Sequence, residues 1–368
     1  LTPNREKRVT LQADVQLADV GGRHQAKELK LVASGIQIDL RGSTYVAEPD
    51  ADLYLRAELG GDAAQLAPTL AAFLGEGYED LRGSGKLTGT IKASGSPADG
   101  GAALYTTTDV TLGSWATSGL NVENVRLAAT RTDAAAPLSA QLRAGLNGGS
   151  ALVTGTARLG GKALPWNATV VLKGVDTSGV LVSQGIGRYL TFVLPALLPA
   201  NASAAVLSGR LDANLKGGAP SLNGEALKAG LRGDGRIAME QGEIKQSTLF
   251  GGGGSSQLGK LIAMLKVVAP ESGVVLAELQ KAITFQSLTS EFSVANRVVT
   301  VKQTKLDGRR VAIDMQGRVL MAGPIDLQSK VKLQGNAGRR LAGAIGGDTL
   351  PLRVRGTLEE PQVQPDVD

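Results

Sequence analysis

The chain has no cysteine and one histidine, His24, among 368 residues. Lack of cysteine removes disulfides, thiolate chemistry and Cys-ligated metal centres. A lone imidazole argues against multi-histidine metal sites and histidine-based nucleophilic triads, and His24 sits in Gly21-Gly-Arg-His-Gln, which reads as a polar turn. Aromatic residues reach only 3%, so any core must be built from Val, Leu, Ile and Ala. Long hydrophobic runs are missing too. The most apolar stretch, Tyr189 to Ala200, is interrupted by Pro195 and Pro199 and falls short of the ~18 residues a membrane span needs. Charge of one sign is also scarce: 39 Lys and Arg against 34 Asp and Glu leave +5, a weak attraction to anionic surfaces.

What the chain does have is glycine, 49 of it, with 42% hydrophobic and 20% charged residues, which is too apolar for disorder. Period-2 alternation dominates. Ile283 and Phe285, Phe292 and Val294, Val299 and Val301, then Val311, Ile313, Met315 and Val319, then Ile325, Leu327, Val331 and Leu333 recur largely at i, i+2. Polar residues such as Thr284, Glu291, Lys302, Asp314, Gln328 and Lys332 fill the gaps, as antiparallel strands with one dry and one wet face require. Turn residues fall at Ala295-Asn296-Arg297, Asp307-Gly308 and Ala322-Gly323-Pro324, so this region is a meander. The N-terminal half repeats the theme with Val9, Leu11, Val15 and Leu17, then Leu29 and Leu31, then Leu53, Leu55 and Leu59, then Leu87 and Ile91, then Val110 and Leu112.

Three segments switch to helical spacing: Leu66, Leu70, Phe73 and Leu74 after Asp62; an apolar segment over Val182 to Leu198; and Leu258, Leu261, Ile262 and Leu265, closed by Pro270. Residues 53–97 and 170–220 share the order strand, helix, strand, and LPLRVRGTLEEPQVQPD closes the chain as a variant. The expected organisation is two β-rich modules, 1–160 with one helix and 161–368 with two, sharing one continuous sheet.

The expected fold is mainly β: a long antiparallel, curved sheet forming an open groove, or trough, with about three short amphipathic helices. Some 16 to 20 strands at ~4.8 Å would make a sheet ~80 to 95 Å wide, and a helix ~10 Å across screens only about two strands. Apolar surface is therefore left for a second layer or a ligand to bury. The candidate groove lining is Ile283, Phe285, Phe292, Val294, Val299, Val301, Val311, Ile313, Met315, Val319, Ile325, Leu327, Val331 and Leu333.

Signals for chemistry are weak. Gly254-Ser-Ser-Gln-Leu-Gly259-Lys260 has the spacing of a phosphate loop, but Leu261 stands where a magnesium-binding Ser or Thr belongs. Glu76, Glu79 and Asp80, and Glu359 with Glu360, read as solvated clusters. The triplets Asn167-Ala-Thr169 and Asn201-Ala-Ser203 match a glycosylation acceptor by chance composition. Arg309-Arg310 and Arg339-Arg340 lack the neighbouring rings of a nucleic-acid reader. No catalytic residue, metal, cofactor or nucleic acid is expected, and the chain is not read as an enzyme.

Residues 235–368 carry a resemblance. GRIAMEQGEI from Gly235, the Gly-rich break and helix, Ile283-Thr-Phe through Phe292-Ser-Val-Ala-Asn296, Gly317, Ile325-Asp-Leu-Gln-Ser-Lys-Val, and Leu350-Pro-Leu-Arg-Val-Arg-Gly-Thr-Leu-Glu-Glu-Pro361 with Pro365-Asp366 resemble the C-terminal region of the AsmA-like family of Gram-negative envelope proteins. The resemblance implies a periplasmic trough that carries phospholipid between inner and outer membranes. It also implies an N-terminal inner-membrane anchor ahead of Leu1 and an outer-membrane or periplasmic partner protein. The competing expectation is a structural or assembly module, a self-filled sandwich or solenoid supporting secretion or outer-membrane protein assembly.

Overall fold

The computed structural model describes residues 12–20, 23–33, 36–40, 43–45, 53–74, 78–95, 105–117, 119–133, 135–159, 164–178, 190–194, 197–198, 207–221, 229–245, 247, 249–250, 257–321, 323–358 and 360–366. It is mainly β and antiparallel. The chain divides into two compact units: residues 1–170 with 219–223, and residues 171–218 with 224–368. The break falls at Val170 and Val171, ten residues beyond the boundary read from the sequence.

Unit 1 holds β1 (Gln12–Val20), β2 (Arg23–Ala33), β3 (Ile36–Leu40), β4 (Ser43–Tyr45), β5 (Leu53–Asp62), helix α1 (Ala63–Leu74), β6 (Arg82–Ser84), β7 (Lys86–Gly95), β8 (Tyr105–Thr111), β9 (Ser114–Thr117), β10 (Leu120–Arg131), β11 (Leu138–Leu146) and β12 (Gly149–Ala157). β13 (Trp166–Asp176) runs across the boundary. Its main ladder pairs β1 with β2, then β3, β5, β7, β8, β10, β11 and β12, all antiparallel. No pairing among the described residues joins β1 to β12, so this sheet is not closed into a barrel. Asn147 and Gly148, both at positive φ, make the tight turn between β11 and β12 that Asn-Gly favours. Asp62 caps α1, its Oδ1 accepting the Ala64 N–H at 2.8 Å. The helix packs beside β5 and β6 at one side of the unit. His24 lies inside β2, opposite Asp19 and Tyr45, rather than in a turn.

Unit 2 holds β14 (Leu207–Ala219), β15 (Arg232–Lys245), α2 (Gln257–Val268), α3 (Pro270–Leu279), β16 (Ala282–Ala295), β17 (Val298–Asp307), β18 (Val311–Leu320), β19 (Pro324–Leu333), α4 (Gly335–Ile345), β20 (Leu350–Thr357) and β21 (Pro361–Pro365). These strands pair in chain order, each antiparallel to the next. A short helical turn also covers 190–193. Asn296 and Arg297, at φ 52 and 64, form the two-residue turn of the β16–β17 hairpin. β19 alternates without a fault: Ile325, Leu327, Ser329, Val331 and Leu333 are buried and the residues between them are exposed. β17 is less regular. Val301 opposes Gly317 and Thr304 opposes Met315, so Lys302 and Gln303 face a single residue as a bulge.

The sequence reading differs from the structure in its helices. α2 stops at Val268, ahead of Pro270 as read, but Pro270 also starts a further helix, α3, at the first helical position, with Ala269 alone between the two. α4 falls where no helix was read. Within Val182 to Leu198, the helical turn at 190–193 is described and most of the remainder lies outside the described residues. So do Val9, Leu11 and residues 254–256 of the phosphate-loop lookalike. The rest of that motif, residues 257–260, is inside α2.

Candidate functional site: two apolar faces

Each unit presents one dry face, and each face can be followed as a row of cross-strand neighbours. In unit 2 the row is Leu211, Met239, Leu288, Leu306, Ile313, Val331 and Leu350, residue opposite residue across seven strands. None of the seven is more than 4% exposed. The chain itself supplies the roof. α2 packs against β21, α3 against β16 and α4 against β19. Leu190, Val193, Leu194, Leu197, Leu198, Leu249 and Phe250 are buried with them.

Hydroxyl groups fasten that roof. Ser290 on β16 bonds the Val193 carbonyl at 3.2 Å and Thr304 Oγ1 at 2.8 Å, and Ser272 of α3 donates to the Ala337 carbonyl of α4 at 2.7 Å. Two rings are seated over glycines on the neighbouring strand. Phe292 opposes Gly235 and Phe285 opposes Gly242, and a Cβ on either glycine would come within 2.5 Å of the ring. The fourteen residues read as a groove lining lie together on one face. Thirteen of them are at most 8% exposed and Val294 is half-buried, so in this structure they are covered by protein.

In unit 1 the corresponding row is Ile38, Leu59, Gly89, Val110, Leu127, Leu142 and Val153, again across seven strands. Val110 is buried; the other six are half-buried. A second row, Leu40, Ala57, Ile91, Thr108, Ala129, Ala140 and Gly155, runs beside it and is built mostly of small residues. Only Ala57 in this second row is buried. α1 lies over β5 and β6, and no described helix covers the middle of the sheet. At ~4.8 Å per strand the row spans about 29 Å. One leaflet's acyl chain covers about half of a ~30 Å hydrocarbon core, so the row exceeds one chain length.

The opposite face of unit 1 is wet. Arg126 grips Asp109 through two hydrogen bonds of 2.9 and 3.1 Å, and the guanidinium holds the carboxyl below the usual carboxylate range. Arg56 and Glu58 pair at 3.5 Å on the same side. The dry face carries Arg131, buried and donating through Nε to the Ala136 carbonyl at 2.9 Å.

No set of three or more His, Cys, Asp or Glu able to hold a metal occurs among the described residues, and no described helix is long and apolar enough to cross a membrane. Asp80 accepts from Thr117, Glu360 is exposed, and Asn167 is exposed on β13; Glu76, Glu359 and 201–203 lie outside the described residues. Sequence reasoning located Leu59, Leu87, Ile91 and Val110 as inward residues of the N-terminal strands but missed Leu127, Leu142 and Val153. Their signal was present: alternation on both sides of the Asn147-Gly148 turn. No protein-family model, curated protein or solved structure matches the chain.

Proposed function

We propose that this chain is a lipid-binding protein whose acyl-chain site is the open apolar face of unit 1. One observation carries the reading: of two comparable seven-strand rows of mostly aliphatic residues, one is buried by the chain and the other is left half-exposed. An acyl chain resting on the second row with about ten methylenes half-covered would gain about 4 kcal/mol, at ~0.8 kcal/mol per buried CH2. The alanines and glycines of the neighbouring row leave the depth that a chain of that width needs.

Compartment and route come from the AsmA-like resemblance of residues 235–368. On that ground we propose a periplasmic protein, membrane-anchored at full length, that conducts phospholipid between inner and outer membranes. Unit 2 is the self-filled part, and its covered core is what favours a structural or assembly role as the second reading for that unit.

The test is solvent extraction of the purified chain followed by mass spectrometry, together with titration of a fluorescent fatty acid. Acyl lipid in the extract and saturable uptake are expected. A lipid-free protein that takes up no probe would overturn the reading, and capture of a stable protein partner by such a lipid-free chain would favour the second.

A further inference from the structure

Seven large hydrophobic side chains are exposed among the described residues, and four of them, Met264, Val267, Val268 and Val274, belong to α2 and α3. Their spacing is helical. On α2, Lys260, Ala263, Met264 and Val267 follow i, i+3, i+4, i+7 along the outward side, while Ile262 and Leu265 point into unit 2. Val267 is 81% and Met264 52% exposed, more than the unit's own packing accounts for.

The two helices pack directly on one another. Only Ala269 separates them, and a Cβ on Gly273 would lie 2.6 Å from the Lys266 backbone, so α3 presses directly on α2. On α3, Ser272, Leu276 and Leu279 are buried and Val274 faces out.

Of the ionised side chains on the two helices, only the lysines lack an ion partner among the described residues. The acidic side chains nearby are engaged: Glu271 pairs with Arg340 at 3.0 Å, and Glu278 pairs with Arg310. Lys260 and Lys266 are exposed and have no ion pair among the described residues, and Lys281 is exposed at the end of α3. An apolar stripe flanked by free ammonium groups is the composition of a helix that lies in an anionic lipid interface.

We propose that the α2–α3 hairpin is a membrane-surface contact, with Met264, Val267, Val268 and Val274 entering the headgroup boundary and Lys260 and Lys266 meeting anionic lipid. It does not depend on the open face of unit 1, since the contact is with a bilayer surface and not with a single extracted lipid.

Flotation of the full chain with phosphatidylcholine vesicles, and with vesicles carrying about three parts in ten phosphatidylglycerol, tests it. The chain should float with the anionic vesicles and release at 0.5 M salt. Lys260→Gln with Lys266→Gln should lower the partition coefficient about 25-fold, each lysine contributing about a factor of five. Val267→Asp should abolish flotation while leaving the melting temperature unchanged, because the side chain it replaces is already in water. Failure of the wild-type chain to float, or flotation by Val267→Asp equal to wild type, would overturn the proposal. So would light scattering that showed the patch joining two copies of the chain in place of vesicle binding. A chain that floats but takes up no fatty acid would fail the groove reading alone.

Discussion

A single carboxylate placed on each of the two rows separates a core from a ligand surface. Leu327 is 0% exposed, set between Gly317 and Val354 on the neighbouring strands of unit 2. Leu327→Asp forfeits a transfer free energy of about 1.5–3 kcal/mol and adds a desolvation penalty of several kcal/mol. Together these reach the ~5–15 kcal/mol that holds a whole domain together. Leu142, opposite Leu127 and Val153 in unit 1, is half-buried. There Leu142→Asp loses about half as much burial, about 1 kcal/mol, and its carboxylate reaches water. That carboxylate would nonetheless lie under any bound acyl chain, and its desolvation should weaken fatty-acid binding at least tenfold, about 1.4 kcal/mol. Urea unfolding followed by circular dichroism, beside titration of a fluorescent fatty acid, reads both effects. Leu327→Asp should lose a cooperative transition; Leu142→Asp should keep it and lose the ligand. If Leu142→Asp unfolded as completely as Leu327→Asp, the unit 1 row would be ordinary core, and the argument from half-exposure would fail.

Three further outcomes follow from unit 2. Gly242→Ala would put a Cβ 2.2 Å from the Ser208 carbonyl and 2.3 Å from the Phe285 ring, so strand or ring must move. A loss of about 1–3 kcal/mol in chemical denaturation is expected. Ser290→Ala leaves the buried Val193 carbonyl and Thr304 hydroxyl without that partner, at a cost of about 1–3 kcal/mol, with hydrogen exchange around residues 190–194 speeding up first. Asp326 accepts two bonds from Arg353, at 2.9 and 3.0 Å, which lowers its pKa. A depressed carboxylate stabilises the fold above its unfolded value near ~3.9 and loses that contribution as pH falls through the lower folded value. Asp326→Asn should therefore flatten the acid limb of the urea midpoint below about pH 4 and leave its slope near neutrality unchanged.

The ladder of unit 2 was legible because β19 alternates perfectly and Asn296-Arg297 punctuates the β16–β17 hairpin. The helices were harder to see. α4, GNAGRRLAGAI, sets Ala337, Leu341 and Ile345 at i, i+4, i+8, but that narrow stripe stands among glycines and arginines, and its clearest stop is Gly346 in the left-handed region. α3 was hidden by Pro270, which reads as a terminator and acts as a first residue. Those omissions matter for the site. Alternation tells which side of a strand is dry but not what dries it, and Ile283, Val311 and Leu327 carry the same pattern as Leu59 and Leu142. Only the placement of α2, α3, α4 and residues 190–194, 197 and 198 distinguishes the covered sheet from the bare one. Phase was the other difficulty. Phe285 and Leu288 both face inward although they are three residues apart, a slip that simple period-2 counting does not allow.

The unpaired lysine in the middle of β17 marks where this chain can change length cheaply. With Lys302 removed, Val299, Val301, Thr304 and Leu306 would still follow one another at every second place, so the strand could shorten by a residue without turning its oily side outward. Elsewhere in the unit, where pairing is continuous, a deletion would reverse every side chain beyond it. Length variation among relatives of this fold should accordingly collect at such spare links, leaving β19 untouched.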